Sequence, residues 1–172
     1  VTRISPALGA RVTGIDLSDP QGVGPMLVDL LAEHLVLAIE LAAPLSADDH
    51  VALGSIFGEP FIHPFLTAVP DHPAILEVRK EPDDEATFGG EHWHADITFQ
   101  NPPSSVSLLL SEEVPAIGGD TLFANQFLAY ERLSPALKRM LDGLEAVHVY
   151  PDLPEGPADT TARHPVVRVH PV

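Results

Sequence analysis

From His92 to Gln100 the chain alternates without a break between polar and apolar residues: Trp93, Ala95, Ile97 and Phe99 are apolar, whereas His92, His94, Asp96, Thr98 and Gln100 are polar. A period of two predicts a β-strand with His94 and Asp96 on the same face. In a helix the same pair would diverge by about 200° around the axis, too far to chelate one ion. An imidazole and a carboxylate side by side form a candidate metal site, since two imidazoles and one carboxylate leave three positions open on iron(II). Taken alone, H-x-D equally describes a polar strand face meeting solvent.

Composition narrows the partners. The chain carries 9 Lys+Arg against 25 Asp+Glu, a formal charge of −16, and has no basic tract, which argues against a nucleic-acid backbone or an anionic membrane surface as partner. With no cysteine, any metal must be held by imidazole and carboxylate, and the cytoplasm is the expected compartment. Apolar runs such as Leu27 to Leu41 are interrupted by Asp29, Glu33, His34 and Glu40, short of the roughly 20 residues needed to span a bilayer. A hydrophobic fraction of 45% and mean hydropathy of +0.12 over 172 residues allow a real core.

Frequent turn formers, 18 Pro and 12 Gly, cut the chain into short elements. Helical spacing runs from Pro25 to about Val36 and leads into a strand near Val36 to Ile39. A second helix is delimited by Ser46 as N-cap, Asp49 at the third helical position and Gly58 as stop, with Val51, Ala52, Ile56 and Phe57 as its buried stripe. Strands are expected at Ala74 to Val78, His92 to Gln100, Ser105 to Leu110, Thr121 to Ala124, Leu144 to Tyr150 and Pro165 to Val169, with a turn-rich stretch from Pro151 to Thr161. A helical stretch from Gln126 to Asp142 is interrupted at Ser134-Pro135 and ended by Gly143. Short strands without regular βαβ alternation favour a mainly β fold, an antiparallel core with flanking helices.

Several segments, in order, resemble the taurine dioxygenase-like family of iron(II)- and 2-oxoglutarate-dependent oxygenases. Trp93-His94-Ala95-Asp96-Ile97-Thr98-Phe99 is similar to the family's W-H-x-D-x-T/S-F, and Gly118-Gly119-Asp120-Thr121-Leu122 to its G-G-D-T-L. Ala129-Tyr130-Glu131-Arg132-Leu133-Ser134 resembles its A-Y-E-x-L-S helix, Phe57-Gly58-Glu59 its F-G-E, and His164-Pro165-Val166-Val167-Arg168 its H-P-V-V-R. Leu8 to Leu17 is similar to its opening strand, so the resemblance covers nearly the whole chain.

The resemblance implies a double-stranded β-helix, or jelly roll, with residues 1–172 as the N-terminal portion of a single catalytic domain that is incomplete at its C-terminus. It implies a dioxygenase using Fe(II), O2 and 2-oxoglutarate to hydroxylate a small anionic substrate, a sulfonate, sulfate ester, aryloxyalkanoate or other carboxylate, with succinate and CO2 as coproducts. His94 and Asp96 would be the catalytic metal ligands, Thr121 would donate its hydroxyl to a carboxylate of 2-oxoglutarate, and His63 and Ile97 would contact the substrate. An anion beside His63 would favour its protonated form. The third metal ligand, a histidine, and the arginine that pairs with 2-oxoglutarate are expected further downstream, in roughly a hundred additional residues. His148, His164 and His170 read instead as strand or turn residues.

The chain departs from the taurine-using pattern at Leu66 and Gly90, where an aromatic and an amide are expected, and Leu37-Ala38-Ile39-Glu40 lacks the usual arginine. Taurine itself is therefore not the expected substrate. Two other readings stay open. His92-Trp93-His94-Ala95-Asp96 is also the start of the H-x-H-x-D pattern of dizinc hydrolases, although Ile97 stands where a further histidine is required; alternatively, the domain is a non-catalytic jelly-roll binding module. A homo-oligomer is compatible with the sequence.

Overall fold

The computed structural model describes residues 1–81, 83, 92–150 and 161–171. Strand β1 (Thr2–Arg3) pairs antiparallel with β2 (Ala10–Val12), and β2 pairs parallel with β3 (Leu37–Ile39). Parallel neighbours need a crossover, here the helix α1 (Pro20–His34). The helix begins ahead of Pro25, the expected start: the Asp19 carboxylate accepts the Gly22 N–H and Pro20 occupies the first turn, where its missing N–H costs nothing. Gly24 belongs to this helix for a packing reason. A Cβ there would lie 2.9 Å from Ile56 Cγ2, so only glycine lets α1 come this close to its neighbour.

That neighbour is α2 (Ala47–Gly54), continued by a 3-10 turn over Ser55–Phe57. Ser46 caps it as expected, accepting the Asp49 N–H at 3.1 Å, and Gly58 ends it at φ 138°. Its most buried residue is Leu53, outside the expected stripe, because α2 turns that side chain toward Leu17 and Leu27. Ile15, Val23, Leu37, Ile39, Ile56 and Leu108 close over these three leucines. Leu108 is the one member of this cluster from the second half of the chain, and it anchors the segment that will reach the site.

β4 (Ala68–Val69) and β5 (His72–Leu76) form a hairpin through Pro70-Asp71, with Asp71 in the left-handed region at φ 64°. β5 thus starts before the expected Ala74. The expected break at Ser134-Pro135 is real: Asn125 caps α3 (Gln126–Glu131) and Ser134 caps α4 (Pro135–Leu141), and Gly143 follows at φ 74°. β6 (Glu145–Val149) and β7 (Thr161–Pro165) pair antiparallel, with Ala146 opposite His164 and His148 opposite Ala162. The last strand therefore lies earlier than Pro165 to Val169. Most of the turn-rich Pro151 to Thr161 stretch falls outside the described residues.

The largest correction concerns His92 to Gln100. It is no strand: the chain runs irregularly to Ala95, then turns over Asp96 to Phe99 with Ile97 at φ 54° and the Gln100 N–H bonded to the Ile97 carbonyl at 3.1 Å. Pro102 and Pro103 follow directly, and neither can donate to a ladder. Ser105 to Leu110 and Thr121 to Ala124 likewise have no ladder partner among the described residues. What stands is three small sheets with four helices, and none of the sheets closes into a barrel among the described residues. No helix of the described residues is long and apolar enough to cross a membrane.

Leu27 is fully buried at the centre of the leucine cluster. Leu27→Ala is expected to cost about 2–5 kcal/mol of stability, read as a lowered denaturant midpoint at unchanged slope.

Candidate metal centre

Although the strand is absent, His94 and Asp96 meet. His94 Nε2 lies 3.2 Å from Asp96 Oδ1, and both side chains are about half exposed. The turn that begins at Asp96 brings the carboxylate back toward the imidazole, so a bend does what the alternating strand was expected to do. Two ligands each about 2.1 Å from one ion and at right angles to each other sit about 3 Å apart, so the observed separation suits a shared divalent cation.

The remaining atoms of the pair are engaged in the manner of metal ligands. His94 Nδ1 is 2.8 Å from the His92 carbonyl, which can only accept, so Nδ1 carries a proton and Nε2 is the nitrogen turned toward Asp96. Asp96 Oδ2 accepts from Ser107 Oγ at 2.6 Å, which leaves Oδ1 toward His94. Ser107 can reach because its neighbour Leu108 is packed on the leucine cluster. Ser107 was not among the expected site residues, and its part is seen only in this contact with Asp96.

The turn is clasped from two further directions. Phe99 is buried, with its ring centroid 5.9 Å from that of His63 and 4.9 Å from that of Tyr150. From β7, His164 Nε2 lies 2.9 Å from the Thr98 carbonyl. His164 and His148, whose rings meet edge to face at 5.2 Å, stand on strands as expected. A cavity of about 200 Å³ opens beside Asp96, walled by Ala95, Thr98, Pro103, Ser104, Ser105, Val106, Ser107 and Arg168. Among the described residues Arg168 is the only basic side chain on that wall, a role its place in H-P-V-V-R did not reveal.

Other expected site residues lie elsewhere. Ile97 does not line the cavity; it is the positive-φ residue of the turn. Thr121 is exposed in an irregular segment ahead of α3 and is also absent from the cavity wall. Trp93, expected to pack beside Ile97 and Phe99, is 71% exposed, because without a strand it does not share a face with them. Gly90 lies outside the described residues. Among the described residues no group of three His, Asp or Glu side chains could hold a metal.

His63 lies in apolar surroundings. It is buried among Phe61, Phe65, Phe99 and Tyr150, and its Nδ1 accepts the backbone N–H groups of Phe65 and Leu66, each at 3.2 Å. The proton therefore resides on Nε2, and burial pushes the imidazole below the ordinary value of 6.5. The fold favours a neutral donor here rather than an imidazolium.

His94 Nε2 and Asp96 Oδ1 thus stand at a separation that two ligands of one cation would have, each with its outer atom already bonded. The chain belongs to the taurine catabolism dioxygenase TauD, TfdA family, whose sequence profile matches residues 1–172. It is 31% identical to an alkylsulfatase of Acinetobacter baylyi over 148 residues, covering 85% of this chain and 45% of that protein. It is also 30% identical to an alpha-ketoglutarate-dependent sulfonate dioxygenase of Saccharomyces cerevisiae, covering 100% of this chain and 46% of that protein. An alpha-ketoglutarate-dependent sulfate ester dioxygenase of Pseudomonas putida is 28% identical, over 96% of this chain and 60% of its own length. The chain thus spans about half the length of these relatives.

Because folding depresses the proton affinity of His63, the unfolded chain takes up the proton first as pH falls. The stability this histidine contributes is intact above its unfolded value of 6.5 and declines below it, by at most about 1.4 kcal/mol per pH unit for one proton. Urea midpoints compared at pH 7.5 and 5.5 should show a smaller drop in a His63→Phe variant than in the parent.

Proposed function

We propose that this chain supplies two metal ligands and part of the cosubstrate pocket of an iron(II)- and 2-oxoglutarate-dependent dioxygenase acting on a small anionic organic molecule. The observation that carries the reading is the 3.2 Å approach of His94 Nε2 to Asp96 Oδ1 with Nδ1 and Oδ2 already satisfied. A further histidine downstream completes the facial set, and additional strands complete a double-stranded β-helix around residues 1–172, which form the N-terminal portion of that domain. The cytoplasm is the proposed compartment, since imidazole and carboxylate ligation needs no oxidising environment.

When bound, iron(II) with 2-oxoglutarate and O2 supplies the oxidising power to attack an unactivated C–H bond, chemistry that no side chain here provides. Overall, R–H, 2-oxoglutarate and O2 become R–OH, succinate and CO2. Where the hydroxylated carbon also bears a sulfonate, sulfate or aryloxy group, the product collapses to a carbonyl compound and the released group.

The chain's own residues bind, orient and keep water away. His94 offers a lone pair on Nε2 because Nδ1–H is committed to the His92 carbonyl, and Asp96 offers Oδ1 because Ser107 holds Oδ2. Arg168, with the Ser104 and Ser105 hydroxyls on the same cavity wall, suits a carboxylate or sulfonate group. The roles expected of Thr121 toward 2-oxoglutarate and of Ile97 toward the substrate rest on the family motifs, since neither residue lines this cavity. His63 donates Nε2–H to the anionic head group as a neutral imidazole, and the aromatic rings around it keep that side dry. Relatives named for sulfonates and sulfate esters favour those substrate classes, while Leu66 argues against taurine itself.

The experiment adds iron(II) and 2-oxoglutarate to the intact protein without oxygen, looks for a weak visible charge-transfer band, then admits O2 and measures succinate. Band and succinate are both expected, and Asp96→Asn should abolish both. Arg168→Gln should raise the KM for 2-oxoglutarate or for the substrate severalfold. Zinc-dependent hydrolysis without succinate would instead support the dizinc reading, and no turnover of either kind the binding module.

A further inference from the structure

His164 carries a consequence that its strand position alone does not explain. It sits on the inward face of β7 beside Ala162, is 6% exposed, and places Nε2 2.9 Å from the backbone carbonyl of Thr98, a contact spanning 66 residues of sequence. A carbonyl can only accept, so Nε2–H donates and this nitrogen has no lone pair left for a metal. The bond lands in the middle of the turn that starts at Asp96, on the residue following Ile97.

That turn is one a free chain would avoid. Ile97 is β-branched and stands at φ 54°, a conformation such side chains rarely adopt and that persists only where the surroundings hold it. Within the turn, the Gln100 N–H donates to the Ile97 carbonyl at 3.1 Å. The aromatic contacts to Phe99 are non-directional and would tolerate a rotation of the Thr98 peptide, whereas the imidazole bond would not. If that peptide rotates, Ile97 can relax to negative φ and the Asp96 carboxylate moves away from His94.

We propose that His164 is a positioning residue: through the Thr98 carbonyl it holds the strained turn that sets Asp96 Oδ1 at chelating distance from His94 Nε2. The proposal rests on the reading that His94 and Asp96 bind a divalent cation, and its test separates the two. His164→Gln keeps an N–H donor of similar reach, and His164→Leu keeps bulk without a donor. His148→Ala removes the neighbouring ring but makes no bond to the turn. Manganese(II) affinity is measured by spin-resonance titration of the intact protein, and amide exchange of Gln100 is followed without metal.

The Leu variant should lose about 10- to 100-fold in manganese affinity, the range typical of outer partners of metal ligands, and its Gln100 amide should exchange faster. The Gln variant should recover most of both losses, and His148→Ala should change neither by more than about threefold. Equal affinity and exchange in the parent and a folded Leu variant would overturn the proposal, as would a Gln variant as impaired as Leu. If the parent binds no manganese, the metal reading fails, while the exchange comparison still decides whether His164 holds the turn.

Discussion

The hydrogen bond from Ser107 to Asp96 is the interaction on which the site most depends. Its two ends belong to very different surroundings: Asp96 is half exposed on a turn, while Ser107 is adjacent to Leu108, a member of the leucine cluster that includes Leu17, Leu27 and Leu53. The order of the N-terminal core is carried in this way to a carboxylate that has no strand to hold it. A carboxylate on an unsupported exposed loop would sample many rotamers and lose entropy on binding a metal; one with an oxygen already committed has lost most of that entropy during folding.

Electrostatic attraction between His94 and Asp96 is not what brings them together. An ion pair this exposed contributes little, typically under about 1 kcal/mol. The surrounding hydrogen bonds and the packing of Phe99 set the geometry, and the pair follows. His63 is the contrasting case. Its aromatic surroundings withdraw it from water and favour the neutral ring, which donates a hydrogen bond through Nε2–H.

Much of the fold could be read from local chemistry. Ser46, Ser134-Pro135 and Gly143 marked helix ends because caps and positive-φ glycines act within a few residues. The start of α1 was missed because Gly22 and Gly24 look like breakers, and only the packing of Ile56 on Gly24 shows why glycine belongs there. The alternation at His92 to Gln100 misled for a related reason: period two records which side chains want water, not whether a ladder partner exists. That His94 and Asp96 come together was nonetheless legible, since residue type and motif order survive a change of backbone. Ser107, Arg168 and His164 were not, because their roles arise from contacts between segments distant in sequence, which no local pattern records.

The central claim is that a turn, not a strand, presents His94 through Nε2 and Asp96 through Oδ1 to a single ion. A crystal structure of the intact protein loaded with manganese(II) under anaerobic conditions tests it most directly. The account predicts one ion about 2.1 Å from both atoms, with His94 Nδ1 still on the His92 carbonyl, Ser107 still on Asp96 Oδ2, and Ile97 still at positive φ. An ion bound through Nδ1 of His94, an ion bound away from Asp96, or residues 96–99 straightened into a paired strand would contradict it.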